Sequence, residues 1–329
     1  MTLYRSIFKQ AFITAWQHKY LWFFGLFATM LASNFEIELV SRFLNREDTL
    51  FAWQKWTDTG IFSMQTIHNL SELARINTTS FISLVIFVLI LLVLFVALIW
   101  ISIVSQVALV SNTHKATGAK LSAADRRHDT SVGFQEGRRY FWPALGINVL
   151  VRVIVYGLAA LTLLPVLFRT SPGIIDNLVY LVFFIVFLTI ALSLALIAKY
   201  AVAALVIKRQ PFSQAIASAW QLYWDNWLLS IEMAFILFAV SVAASLAIII
   251  AVLVAAIPLA LLYLLSYLIG NFVIYIILII LGILVSLGII VIGGSFITVV
   301  QTSAWVALYN QLTGRTPVVS KLERTFGDK

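Results

Sequence analysis

The sequence predicts an all-α integral membrane protein with about six transmembrane helices, and three observations lead to this fold class. Of its 329 residues, 62% are hydrophobic and 11% are charged, whereas soluble domains average about 45–50% apolar and about 25% charged residues. Apolar runs long enough to span a bilayer recur along the chain. The aromatic share is 14% and includes ten Trp, several of which flank those runs, as is typical of side chains anchored at the membrane interface.

Six segments are long and apolar enough for a spanning helix, which needs about 20 mostly apolar residues. Pro143 can open the third, because proline is tolerated in the first turn of a helix. The last run would be about 60 Å long as one helix, so we expect it to kink at Gly293 and Gly294 or to project beyond the bilayer. The predicted spans are 17–33, 81–110, 143–168, 177–207, 227–255 and 271–312.

A break is predicted in the long apolar stretch that follows Trp227. Pro258 and the sequence LIGN at 268–271 indicate a short re-entrant or interfacial piece near 257–269, because proline interrupts the helical hydrogen bonds. Splitting both late runs would instead give eight spans, and this alternative stays open.

The distribution of charge predicts the orientation of the chain. The loop 112–142 has six basic residues against three acidic ones, while segment 34–80 has six acidic residues against four basic ones. Lys and Arg collect in cytoplasmic loops, so both termini, including a tail at 313–329, are expected in the cytoplasm. Segment 34–80 is expected outside, as amphipathic helices anchored by Trp53 and Trp56.

A short motif precedes three of the predicted spans. FKQAFITAWQ at 8–17 and FSQAIASAWQ at 212–221 share six of ten residues, and SVGFQEGRRYFWPALG at 131–146 follows the same pattern. Each has two small residues four positions apart, which allow close helix approach, and the surrounding apolar stripe suits a helix lying in the membrane interface. The small pairs are Ala11 and Ala15, Gly133 and Gly137, and Ala215 and Ala219. The predicted interfacial anchors are Trp16, Tyr20, Trp142, Trp220 and Trp224.

These motifs divide a single predicted transmembrane domain, 1–312, into three repeat units. Each unit consists of a cytoplasmic interfacial helix, an outward span and an inward span, and parallel internal repeats of this kind are known in transporters. The units are 1–111, 112–210 and 211–312.

The chain resembles a group of uncharacterised bacterial multipass membrane proteins, related to the membrane domain found ahead of some glycerophosphodiester phosphodiesterases. The resemblance rests on AFITAWQHKYLWFFGLF at 11–27, FSQAIASAWQLYWDNWLLSI at 212–231 and TSAWVALYNQL at 302–312. It implies a location in a bacterial inner membrane. The catalytic part of such phosphodiesterases is a separate soluble barrel, which we do not expect in these 329 residues, so no catalytic residue carries over.

Polar residues inside the spans form the candidate site, because charges are expensive in the bilayer. Arg152, Lys199 and Glu232 are expected in its cytoplasmic half. In one interpretation Arg152 pairs with Glu232 and Lys199 meets a phosphate, since basic pockets on the cytoplasmic side bind anionic head groups. In the other, the ion pair is structural and Lys199 snorkels to the interface. The remaining pocket candidates are Asn148, Tyr156, Gln106 and Gln301.

Catalysis, cofactors and metal binding are not expected from this composition. The chain has no Cys and four His, and no His lies in a metal-ligand spacing. Glu232 is the one clear carboxylate inside a predicted span. The net charge of +8 suits cytoplasmic membrane loops, and no basic stretch comes with a nucleic-acid-binding module.

We therefore expect a non-enzymatic, multipass protein of the inner (cytoplasmic) membrane. It would handle or transport an anionic lipid or amphiphile through a polar pocket in the cytoplasmic half of the bilayer. The alternative is a membrane scaffold or regulatory subunit that docks protein partners, or forms a homo-oligomer, without transport.

Overall fold

The computed structural model describes residues 2–31, 66, 68, 69, 72, 75–117, 130–167, 174–269 and 272–314. Within these ranges the regular structure is α-helical and contains no strand, which confirms the predicted all-α class. The helices are α1 Thr2–Gln17, α2 Leu21–Leu31, α3 Thr78–Thr117, α4 Thr130–Arg139, α5 Phe141–Leu167, α6 Ile174–Ile207, α7 Phe212–Asp225, α8 Trp227–Ile269 and α9 Phe272–Leu312.

Five of these helices are long and apolar enough to cross a membrane. They contain the segments Thr78–Ala116, Phe141–Ala159, Leu181–Ile207, Trp227–Ser266 and Val273–Leu312. Helix α2 has 11 residues, and the predicted first span continues from it into residues outside the described ranges. The count of six spans therefore stays a prediction. Most of segment 34–80 and of the tail 313–329 also lies outside the described residues.

The predicted break at Pro258 is wrong. Helix α8 continues through Pro258 to Ile269, so residues 257–269 belong to one long helix and form no separate re-entrant piece. Proline removes one backbone donor, but apolar membrane-type helices tolerate this loss through local adjustment. Helix α8 ends at Ile269 and α9 begins at Phe272, and the two helices pack against each other.

Each predicted interfacial motif forms a short helix that is joined to an apolar helix by a very short link. Three residues separate α1 from α2, whereas Tyr140 alone separates α4 from α5 and Asn226 alone separates α7 from α8. The Asn226 amide donates to the Tyr223 carbonyl at 3.2 Å, and its own carbonyl accepts from the Ser230 amide at 3.0 Å. Backbone hydrogen bonding therefore passes through the joint.

The small residues of the motif lie inside the protein. Ala11, Ala15, Ala215 and Ala219 are at most 1% exposed, and Gly133 and Gly137 are also buried. A methyl group added at Gly137 would lie 2.5 Å from the carbonyl oxygen of Val104. The backbones of α3 and α4 are therefore in direct contact, which is the close approach that small residues permit.

The chain forms two compact units, Met1–Leu31 with Ser102–Lys329, and Ala32–Ile101. In the first unit, three helices each contain seven consecutive buried residues, which we call the buried core: 107–113 in α3, 200–206 in α6 and 303–309 in α9. Seven residues make about two helical turns, so every face of each helix is covered there. In the second unit, α3 is exposed on all faces between Ile82 and Leu98.

The short helices cover the buried core in a regular order. Helix α4 contacts α3, α7 packs on α6, and α1 packs on α9. Each short helix thus packs against the long helix that precedes it in the chain, and the first packs against the last. A threefold repeat that closes on itself would produce this order, and the repeat itself stays a prediction.

Candidate functional site

Two of the predicted pocket residues meet between α3 and α5. The side-chain amide of Asn148 donates to Gln106 Oε1 at 3.0 Å and to the Ala144 carbonyl of its own helix at 2.8 Å. The amide groups therefore link two long helices at a point where both are mostly apolar. This is the usual role of a paired amide between membrane helices.

A third predicted residue, Gln301, makes a similar link between α9 and α8. Its Nε2 donates to Ser241 Oγ at 2.5 Å, and Ser241 in turn donates to the Leu237 carbonyl at 2.7 Å. Gln301 is half-buried, and its side-chain amide forms its hydrogen bond between α9 and α8.

Glu232 accepts a hydrogen bond from the hydroxyl of Tyr4. This contact connects the start of α8 to the first turn of α1, two segments that are 228 residues apart in the chain. Burial, followed by the hydrogen bond to Glu232, raises the pKa of Tyr4 well above its usual value. Tyr4 was not singled out from the sequence, because a tyrosine near an N-terminus has no pattern that predicts such a partner.

Lys199 lies at the edge of the buried core. Its ammonium is 5.0 Å from the centre of the Trp305 ring, while the side chain as a whole is exposed. A cation held over an aromatic face is attracted by the negative face of the ring. The next residue, Tyr200, is 1% exposed and forms a hydrogen bond with Ser230 at 2.8 Å.

Arg152 and Tyr156 lie on the outside of α5. Both are exposed, as are the neighbouring Val149 and Val153. A guanidinium on an otherwise apolar exposed face is energetically unfavourable inside hydrocarbon. The structure thus distributes the seven candidates over five helices. Gln106, Asn148, Gln301 and Glu232 connect helices, whereas Arg152, Lys199 and Tyr156 face outward. The predicted pairing of Arg152 with Glu232 stays a prediction.

The predicted aromatic anchors lie mainly on the protein surface. Trp142 is 76% exposed and Trp16 is 59% exposed, whereas Tyr20 is half-buried. Trp220 and Trp224 are exposed and contact each other at 5.9 Å between ring centres. Large exposed aromatic rings on short amphipathic helices, or at the start of the apolar helix that follows, are typical of a membrane interface.

A polar cluster that the sequence did not predict joins α4 to the end of α3. The carboxylate of Glu136 accepts a hydrogen bond from the Ser111 hydroxyl and lies 3.4 Å from the Lys115 ammonium. One residue away, His114 Nδ1 is 3.0 Å from Asn310 Oδ1 of α9. The amide nitrogen of Asn112, 1% exposed, has no hydrogen-bond partner among the described residues.

The opposite face of α4 borders a shallow cavity of about 640 Å³ that is open at the surface and is lined, among the described residues, by α4 alone. Ser131, Gln135 and Arg138 lie three or four residues apart and therefore share one helix face. Both Arg138 and Arg139 are exposed. The lining residues are Ser131, Phe134, Gln135, Arg138 and Arg139. We call this surface the basic face of α4.

The sequence did contain a signal for this face. Helix α4 is short and strongly amphipathic, with two adjacent arginines in its last turn. A basic pair at a helix end is also an ordinary feature of cytoplasmic loops, so the sequence alone does not distinguish a binding surface from a loop. The packing of α4 against α3 decides that the side with Glu136 faces α3 and that the side with the arginines is exposed.

A second cavity, of about 320 Å³, lies along the polar side of α1. Its lining includes Lys9, Gln10, Gln17 and His18, together with Ala116 of α3. No group of three His, Cys, Asp or Glu residues that could hold a metal ion occurs among the described residues.

Comparison with known proteins returns no relative of this chain. No family model matches it, and neither a curated protein nor a solved structure does. The resemblance to the membrane domain of glycerophosphodiester phosphodiesterases stays a prediction.

Proposed function

We propose that this is a non-enzymatic integral membrane protein that binds an anionic lipid or amphiphile at the cytoplasmic leaflet, with the basic face of α4 making the main contact. The observation that carries the proposal is the cavity bordered by Arg138 and Arg139 on a short amphipathic helix. Guanidinium groups bind phosphate oxygens through two parallel hydrogen bonds.

The charges of α4 are separated in a way that supports this function. Glu136, its one acid, is turned toward Ser111 and Lys115. Its negative charge is compensated there and does not oppose an anion at the arginines. Both arginines lie in the last turn, where the helix dipole favours cations.

Apolar groups beside the arginines would contact the rest of an amphiphile. Phe134 lines the same cavity, and Trp142, 76% exposed, follows Arg138 by four positions. A phosphate at the guanidinium groups and an acyl chain against the aromatic rings would satisfy both parts of a lipid.

Native mass spectrometry with added phosphatidylglycerol or phosphatidylcholine would test the proposal. The double variant Arg138→Ala/Arg139→Ala should retain phosphatidylglycerol roughly 30-fold less than wild type, because each arginine loses hydrogen bonds to the phosphate that contribute about 1 kcal/mol net. The matched control, Arg5→Ala/Lys9→Ala on α1, removes the same charge and should retain the lipid. Equal losses in both double variants would contradict a specific site.

The alternative, a membrane scaffold without lipid transfer, is supported by a different observation. Gln106, Asn148, Gln301 and Glu232 take partners on neighbouring helices, as in a bundle stabilised by polar links. If phosphatidylglycerol retention is unchanged in Arg138→Ala/Arg139→Ala and also in Arg152→Ala and Lys199→Ala, the scaffold is favoured.

A further inference from the structure

Two aromatic clusters mark separate levels along α9. Near its start, the hydroxyls of Tyr275 and Tyr263 are 2.9 Å apart and their ring centres are 4.8 Å apart, so this contact joins the last part of α8 to the first part of α9. Further along, the Phe296 ring contacts Phe12, Trp16 and Trp22 at 5.4 to 6.2 Å. Tyrosine and tryptophan are enriched at both interfaces of a membrane.

The distance between these clusters matches one bilayer. Positions 275 and 296 are 21 residues apart, or about 32 Å at about 1.5 Å per residue. The hydrocarbon core of a bilayer is about 30 Å thick. Residues of α9 between the two levels are apolar or small, and most of those from Val273 to Ile292 are exposed.

The other half of α9 has a different environment. Beyond Phe296 come Gln301, which bonds to Ser241, and Trp305, which lies under Lys199. The seven residues 303–309 are then buried on every face. Along its own length α3 shows the same sequence of environments: exposed residues 82–98, then Gln106, then buried residues 107–113.

Helix α9 is too long for the hydrocarbon layer to cover all of it, so only one of its two halves can lie in that layer. With 41 residues it is about 62 Å long, twice the thickness of the hydrocarbon. We propose that the hydrocarbon covers α9 from Tyr275 to Phe296, and that the buried core lies in the adjoining head-group layer and beyond it. The exposed apolar half of α9 then faces acyl chains, while the other half is covered by neighbouring helices of the protein.

This register gives the charged candidates a physical environment that suits them. Lys199 lies at the level of Trp305, on the core side of Phe296. Arg152 lies one helical turn from Asn148, which bonds to Gln106. Both cations would lie near lipid phosphates, where their exposure costs little. The register differs from the sequence prediction, which put these residues inside the bilayer, and it holds whether or not α4 binds a lipid.

Single cysteines can locate the bilayer directly, because the chain contains no Cys. Leu284→Cys lies midway between the two aromatic levels, at a position 59% exposed. In liposomes with reagent on both sides, it should not react with a membrane-impermeant maleimide. Labelled with a small fluorophore, it should be quenched most strongly by phosphatidylcholine brominated near the chain ends. Lys199→Cys should react with the maleimide.

The opposite pattern would overturn the register. If the bilayer surrounds the buried core, Leu284→Cys reacts with the maleimide and Lys199→Cys is protected. Leu287→Cys, one turn away and 58% exposed, repeats the first measurement. If Lys199→Cys does not fold, Arg152→Cys serves instead, and its fluorophore should be quenched best by lipid brominated near the head group. Strongest quenching by chain-end bromines at that position contradicts the proposal.

Discussion

Helices α4 and α7 bury the same pattern but expose different chemistry. Gly133 and Gly137 of α4 occupy the positions of Ala215 and Ala219 in α7, and all four are buried. On the outside, Arg138 of α4 stands where α7 has an exposed Trp220.

The comparison teaches that the buried pair and the exposed face serve separate purposes. The small residues determine how closely each short helix approaches its long neighbour. The exposed face determines what the helix meets, which is an apolar interface for α7 and, in our proposal, an anion for α4. Substitutions on the buried side should therefore change stability, and substitutions on the exposed side should change binding.

The largest effect is expected from Gly137→Ala. The added methyl group would lie 2.5 Å from the Val104 carbonyl oxygen, and a backbone atom cannot turn away as a side chain can. We expect a loss of about 3 kcal/mol of unfolding free energy, at the upper end of overpacking costs, measured by thermal unfolding in detergent. Gly157→Ala in α5, where nothing lies within 4 Å of the added methyl, should be neutral or stabilising. Equal stability of the two variants would refute the close contact of α3 and α4.

A smaller effect is expected from Glu136→Gln. The substitution removes a charged acceptor from Ser111 and an ion-pair partner from Lys115, so we expect a loss of about 1–2 kcal/mol in chemical unfolding. Ser218 holds the corresponding position in α7 and donates to Gln210 at 2.8 Å. Ser218→Ala should cost about 0.5–1 kcal/mol, because both partners are neutral. A larger loss for Ser218→Ala would reverse this comparison.

Of the two substitutions that remove a hydrogen bond to a carboxylate, the smaller effect is expected in α1, from Tyr4→Phe. The variant loses the hydrogen bond to Glu232, and because Tyr4 is only part-buried we expect a loss of about 1 kcal/mol. The pKa of Tyr4 is raised in the folded protein, by burial first. Its contribution to stability is therefore fully present below about pH 10, the usual tyrosine pKa, and decreases above it.

The pH dependence separates this hydrogen bond from plain packing. Wild type should lose its advantage over Tyr4→Phe as the pH rises above about 10, which unfolding curves at pH 8 and pH 10.5 would show. A stability difference that stays constant across this interval would mean that the hydroxyl is not ionising differently in the folded and unfolded states.

Much of the helical framework follows from local composition. Apolar runs near Phe141–Leu167, Ile174–Ile207 and Phe272–Leu312 are visible in the sequence, because a spanning helix needs a long apolar stretch. Close helix approach at Ala11, Ala15 and their counterparts was expected from the sequence, since small residues four apart lie on one helix face, and the structure buries these residues. The predicted break at Pro258 was wrong, because proline removes only one backbone hydrogen bond. The packing of α8 against α9 outweighs this local cost.

The sequence by itself determined the helical class, the apolar helices and the motif before three of them. All of these depend on residues close together in the chain. Tertiary structure decided that Glu136 faces Lys115 while Arg138 faces a cavity. It also decided that Tyr4 reaches Glu232, 228 residues away in the chain, and that α1 packs on α9. These outcomes depend on which helices become neighbours. The spacing of residues along the chain does not indicate which polar group on another helix will be the partner.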